Sequence, residues 1–227
     1  MRISSRFALS ALTLALGLFG QTAAHAVALI EAVSPASFVD TALSGTTAAL
    51  RPELGGTVIE DSIQDFSFEG VTGTVQNRVV RTGAGTLDFS WRINVDPRST
   101  GTGVAAFRLI DFGYEFLKDA DWRIDGLGTV APDAARLFNE ATHPTGAINF
   151  LFNGGIHAGE ESRFFFLHTN ATAYAKTASF DLLNVGPQAL SPAYQTFAPA
   201  VPEPETYALF VAGLAVAGLA ARRRRAA

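Results

Sequence analysis

The side chains of this chain that can do chemistry are few and scattered. There is no cysteine, so thiolate nucleophiles, cysteine metal sites and disulfides are all excluded. Histidine occurs as His25, His143, His157 and His168. The intervals between the last three do not fit a short zinc motif. His157 stands close to Glu160 and Glu161, an arrangement open to metal binding or proton transfer. Its place after a glycine turn reads better as a solvated loop. His168 closes an aromatic run and is expected to cap or flank the core.

The acidic series Asp111, Glu115, Asp119, Asp121 and Asp125 invites comparison with calcium chemistry, because oxygen-rich loops hold that ion. The spacing is not that of an EF-hand loop, and Lys118 and Arg123 interrupt it. A solvated acidic face is the expectation. No cofactor is assigned, and calcium is the one ion left open, without named ligands. Glu60-Asp61 and Glu160-Glu161 are adjacent carboxylates. Neighbours in a strand point to opposite faces, so neither pair is a ready glycosidase dyad, which needs carboxyls about 5–10 Å apart across a cleft. No serine sits in a nucleophile elbow, and Gly101-Thr102-Gly103 is too short for a phosphate loop. No catalytic residue is assigned, and a non-enzyme is favoured. Among the aromatics, Trp91 falls on the apolar face of its segment and belongs to the core. Trp122 is kept as a candidate carbohydrate contact.

The elements that must position these residues are strands. Leu87, Phe89, Trp91, Ile93 and Val95 alternate with Asp88, Ser90, Arg92, Asn94 and Asp96, the pattern of a strand with one buried and one wet face. Val75–Val80 is expected to pair with it across Thr82-Gly83-Ala84-Gly85. Further strands are expected at Ile63–Phe68, Val104–Phe112, around Trp122, at Ile148–Phe152, at Arg163–His168 and around Phe180. Asn153-Gly154-Gly155 reads as a turn, and Ala32–Ala49 as a loop-rich start. Asp133–Phe138 reads as a turn or two of helix with Pro132 at its start. Long helical patterns are absent, so the expected fold is mainly β: an antiparallel β-sandwich or jelly roll. The body is placed at residues 27–190, with a proline-rich linker or stalk at 191–200.

The two ends differ in kind from this body. Arg2 and Arg6 precede an apolar run, Phe7–Phe19, and Ala24-His25-Ala26 offers a small-x-small cleavage site. Residues 1–26 thus read as a signal peptide cleaved after Ala26, which implies the Sec machinery and signal peptidase as partners and removes His25. Between Val27 and Ala200 lie 11 basic and 19 acidic residues, a net charge of −8. That body offers no electrostatic footprint for nucleic acid. Residues 201–227 hold Pro202-Glu203-Pro204, an uncharged stretch at 207–221 and the cluster Arg222, Arg223, Arg224 and Arg225. As a helix the stretch would be about 22 Å long, enough for a transmembrane segment with modest bilayer thinning. The arginines would stop transfer at the cytoplasmic face.

This tail, over residues 201–225, resembles the PEP-CTERM sorting domain. The resemblance implies recognition of Pro202, Glu203 and Pro204 by exosortase, a membrane-embedded cysteine transpeptidase-like enzyme of exopolysaccharide-producing bacteria. It further implies a chain held transiently in the inner membrane and then passed to the cell surface or outside. It says nothing about the body. The resulting expectation is an exported surface or matrix protein, associated with exopolysaccharide or biofilm and non-enzymatic. An exported polysaccharide hydrolase and a calcium-dependent adhesion module are the alternatives.

Overall fold

The alternating segment at Leu87 forms a strand whose five apolar side chains are all sealed from solvent, and the rest of the architecture is built around it. The computed structural model describes residues 27–32, 38–138, 147–186 and 189–200. Within them lie twelve strands: β1 (Glu31–Ala32), β2 (Thr41–Ala42), β3 (Thr57–Phe68), β4 (Val71–Arg81), β5 (Leu87–Val95), β6 (Val104–Ile110), β7 (Leu117–Trp122), β8 (Ala134–Phe138), β9 (Ala147–Ile156), β10 (Phe165–Thr169), β11 (Tyr174–Asn184) and β12 (Tyr194–Pro199). Helical structure among the described residues is confined to two short 3-10 turns, Pro52–Gly55 and Tyr114–Phe116.

The strands form two sheets. One has the order β3-β4-β5-β10-β7. The other runs β1-β8-β9-β6-β11-β12, with β2 also on β8. All ladders are antiparallel except the two-residue β1–β8 contact. The chain crosses between sheets from β5 to β6, β6 to β7 and β7 to β8, so the sheets face one another over a shared core. Trp91 of β5 packs 5.4 Å from Phe107 of β6, and Phe165 of β10 lies 4.7 Å from Phe150 of β9. This is a β-sandwich. One polar connection crosses the core: Trp91 Nε1 donates to Thr196 Oγ1 at 2.9 Å, and that hydroxyl lies 2.9 Å from Asn77 Oδ1. Since Thr196 Oγ1 accepts from the indole, it donates to Asn77. The chain ties β5, β12 and β4 together without orphaning a buried polar group.

Three local expectations are corrected. Asp133–Phe138 is not helical: Ala134–Phe138 is β8, with Ala135 opposite Phe150 and Leu137 opposite Ile148. A segment so short cannot sustain a helix alone, whereas β9 offers it a ladder and the core accepts Ala135. Asn153-Gly154-Gly155 is not a turn either; β9 continues through it to Ile156, and its register shifts against β6 there. The stretch 191–200 is not a stalk, because Tyr194–Pro199 is β12, paired with β11 and burying Thr196, Phe197 and Ala198. Pro199 is tolerated since β12 is an edge strand.

The expected signal peptide with Ala24 and Ala26, His143, and the tail with Pro202, Glu203, Pro204 and Arg222–Arg225 lie outside the described residues. So does the expected span at 207–221. Among the described residues no helix is long and apolar enough to cross a membrane.

Candidate binding cavity on the outer sheet face

The polar side of β5 is not the wet face its alternation predicts. Asp88 and Ser90 are buried, because the segment 43–56 and the loop 123–127 lie over the outer face of the five-stranded sheet. Sheet register sets the rows beneath them. Val80, Asp88, His168 and Asp119 stand side by side across β4, β5, β10 and β7. The next row is Arg78, Ser90, Phe166 and Asp121.

Three members of the acidic series hold the covering segment down, while Asp111 and Glu115 are exposed as expected. Asp121 Oδ1 accepts from the Gly45 N–H at 2.8 Å, and Asp125 Oδ2 from the Ala48 N–H at 2.9 Å. Arg51 donates two hydrogen bonds to Asp119, at 2.9 and 3.1 Å, and a third to Glu53 at 2.7 Å. Arg123 donates to the Leu54 carbonyl at 3.0 Å. Gly45 has φ +77°, and a Cβ there would sit 2.5 Å from the Trp122 ring; only glycine lets the backbone pass so close. Asp119 and Asp121 are therefore anchors rather than a solvated face, and Asp125 anchors the segment while remaining exposed. Among the described residues no three histidine, aspartate or glutamate side chains gather as metal ligands would.

Between the covering segment and the 123–127 loop remains a cavity of about 300 Å³. Its floor is Val80, Asp88, Ser90 and Phe166; its sides include Leu54, Val58, Arg78, Arg123 and Leu127. Gly56 forms part of one side, and a Cβ on it would strike the Arg81 carbonyl at 2.1 Å.

Asp88 is the chemically distinctive group. It is 3 % exposed. Its Oδ1 lies 2.6 Å from His168 Nδ1, while its Oδ2 is buried without a hydrogen-bond partner. Burial pushes the Asp88 carboxyl up, with the His168 imidazole pulling against it. The carboxylate in turn raises the pKa of His168 against its partial burial. A carboxylate on Nδ1 is the orienting half of a hydrolytic triad. The other half is missing among the described residues: no hydroxyl hydrogen-bonds the His168 ring, and Ser90 stands one row away, opposite Phe166. Asp121 is pushed up to about 6, chiefly by desolvation, with its backbone hydrogen bonds opposing.

The residues singled out from the sequence fall elsewhere. Trp91 is core. Trp122 is half-buried, with Gly45 against its ring and the Arg163 guanidinium 5.5 Å from the ring centre. Both ring nitrogens of His157 meet backbone carbonyls, of Thr102 at 3.0 Å and Gly154 at 2.8 Å. Glu161 pairs with Arg92 and Asn94, and Glu160 accepts the His157 N–H. Glu60 and Asp61 diverge as expected, one to the Tyr174 hydroxyl and the other to Arg78 and Gln76. The cavity itself was not foreseen; the pairing of β5 with β10, which sets Asp88 opposite His168, was the signal that would have located it.

Residues 200–225 match the family described as the PEP-CTERM protein-sorting motif. Pro202, Glu203, Pro204 and all four arginines lie inside the match. The chain thus carries an exosortase sorting motif on its tail, which implies export and membrane-anchored sorting. No curated protein and no solved structure matches the chain.

Proposed function

We propose that the chain is a non-enzymatic protein of the cell surface or extracellular matrix, exported, sorted by exosortase and associated with exopolysaccharide. The sorting motif at residues 200–225 carries this reading. It implies export and membrane-anchored sorting, and the body it carries is one sandwich with no assembled catalytic set among the described residues. Residues 1–26 act as the signal peptide for Sec and signal peptidase, and the uncharged stretch at 207–221 holds the chain in the inner membrane until exosortase acts near Pro202-Glu203-Pro204.

Intact-mass analysis of the protein from membrane and medium fractions of its native host tests the route. The expected result is a chain beginning at Val27 and, outside the inner membrane, shortened near the motif. A full-length chain confined to the inner membrane contradicts the proposal. Retention of the purified protein on the host's exopolysaccharide tests the association; no retention above a non-binding control contradicts it.

A further inference from the structure

The sorting motif begins where the fold stops. Tyr174 of β11 stands opposite Pro199 of β12, and the Ala200 N–H donates to the Ala173 carbonyl at 3.0 Å. The family match starts at that same residue, 200. No spacer separates the sandwich from the motif, and only Val201 lies between Ala200 and Pro202. From Ala200 to Tyr207, where the uncharged stretch opens, there are seven residue steps. Fully extended, they reach about 24 Å, and the headgroup layer takes about 5–7 Å of that. β3 alone, with 12 residues, gives the sandwich a length of about 40 Å. The tether is shorter than the body it holds.

Backbone contacts show which end of the body lies at the tether. The Ala171 carbonyl accepts from the Leu87 N–H at 2.9 Å, and the Phe116 carbonyl from the Asn170 N–H at 3.0 Å. The chain exit is thus grouped with the turn 82–86, the 3-10 turn Tyr114–Phe116 and the loop 170–173. The loops 96–103 and 157–161 lie at the opposite end, where the Thr100 N–H meets the Gly70 carbonyl at 2.9 Å and the Val95 N–H meets the Glu160 carbonyl at 3.0 Å. The exit end exposes charges of both signs. Arg81, Asp111 and Glu115 are exposed there, and so are Lys118 and Lys176, both lysines of the chain. A phospholipid headgroup layer matches such a mixed surface, because its phosphates suit the cations and its amines suit the carboxylates.

We infer that, while the tail holds the chain in the inner membrane, the short tether seats this end of the sandwich on the phospholipid headgroups, with the 96–103 and 157–161 loops turned away from the bilayer. The inference rests on the proposed membrane anchoring and names the surface that meets the lipid. Exosortase then encounters Pro202-Glu203-Pro204 at the foot of a folded domain, and the loops of the far end are the part of the body open to the outside.

The chain has no cysteine, so a single introduced thiol places a fluorophore at one site. Gly83→Cys and Thr172→Cys label the exit end, and Arg98→Cys and Ala158→Cys the far end; all four positions are exposed, and two at each end keep the test valid if one variant fails to fold. The full chain, expressed through its own signal peptide in a host without exosortase, is taken from the inner membrane and reconstituted in vesicles of phosphatidylethanolamine and phosphatidylglycerol. A fraction of the lipids carries a quenching spin label on the headgroup. The exit-end labels are expected to lose fluorescence and the far-end labels to keep it. An insertion of about twenty Gly/Ser residues after Ala200, which lengthens the tether by about 25 Å, is expected to erase the difference. Equal quenching at both ends, stronger quenching at the far end, or a contrast that survives the insertion overturns the inference. If the chain resists alkaline extraction from the vesicles and the labels are quenched equally, the seating fails and the anchoring stands. If alkaline extraction releases the chain, both are overturned.

Discussion

The two faces of the five-stranded sheet are built by opposite means. The inner face meets the second sheet through Phe89, Trp91, Val75, Val79 and Phe165, all essentially inaccessible, with one hydrogen-bonded chain through Thr196 as its polar content. The outer face is covered by a segment with little regular structure, and most of what fastens that cover is ionic or polar: Asp119, Asp121 and Asp125 receiving Arg51, Gly45 and Ala48. Close-packed rings leave no room for a ligand. A cover pinned at points leaves a cavity between the pins. The inner face thus supplies rigidity, and the outer face supplies the space.

The largest effect should come from breaking the inner face. Phe165 touches Trp91, Phe107, Phe150 and Phe152, and Phe165→Ala should cost about 3–5 kcal/mol in denaturant unfolding. Its neighbour Phe166 is nearly as buried but borders the cavity, with Arg51 5.7 Å from its ring centre. Phe166→Ala should cost about 2–3 kcal/mol, since fewer contacts surround it. Equal losses at the two positions would show that the faces are packed alike and break the comparison.

Removing the polar link of the inner face comes next. Thr196→Val keeps the shape but strands Trp91 Nε1, and the expected loss is about 1–3 kcal/mol. A loss below about half a kcal/mol would mean that the indole finds another acceptor. The outer face answers with Arg51→Leu, which leaves the partly buried Asp119 without its bidentate partner. A loss of about 1–2 kcal/mol is expected. A double-mutant cycle with Asp119→Asn should recover much of it as coupling energy, and no coupling would demote the pin to an incidental contact.

This difference also explains what could be read from the chain. The inner face is written in alternation. Leu87 to Val95 announces its buried side without any knowledge of partners, and the apolar run at Arg163–His168 announces the interior strand β10. The outer face is written in register and long-range pairing. Asp88 meets His168 across 80 residues, and Gly45 reaches Asp121 across 76. No local pattern encodes those distances, so Asp119 and Asp121 looked solvated and Asp88 looked wet. Short elements failed for a related reason. β8 and β12 take their conformation from the neighbour that pairs with them, and their own proline and alanine content pointed to a helix start and a stalk. The sorting motif of the tail was legible because it is a linear sequence pattern, and residues 200–225 match it.

The smallest effect is the most discriminating, because it depends on pH. Asp121 titrates near 6 in the folded chain, against an ordinary value of 3.8. Between those values the folded state holds a proton that the unfolded chain has released, so stability falls as pH rises from about 4 to 6. His168, raised by Asp88, adds stability that is fully present below its unfolded value near 6.5 and is lost as pH climbs through its folded value. Asp40, Glu53 and Asp125 are held below the usual carboxylate range, chiefly by their arginine partners, with burial opposing; at Glu53 burial is the largest single influence and the Arg51 contacts outweigh it. Those three contribute stability above about 4 that is lost in stronger acid. Thermal melts should therefore place the stability maximum in mildly acidic solution. Asp121→Asn should reduce the decline between pH 4 and 6, to which the raised Asp88 carboxyl also contributes, gain about 1–2 kcal/mol at pH 7, and leave the decline above pH 6.5 intact. His168→Gln should flatten the upper limb, and it should steepen the acid side, because Asp88 then loses the imidazole that opposes its burial. If Asp121→Asn leaves the lower limb unchanged, the Gly45 anchor does not hold a desolvated carboxyl, and the polar fastening of the outer face loses its central pin.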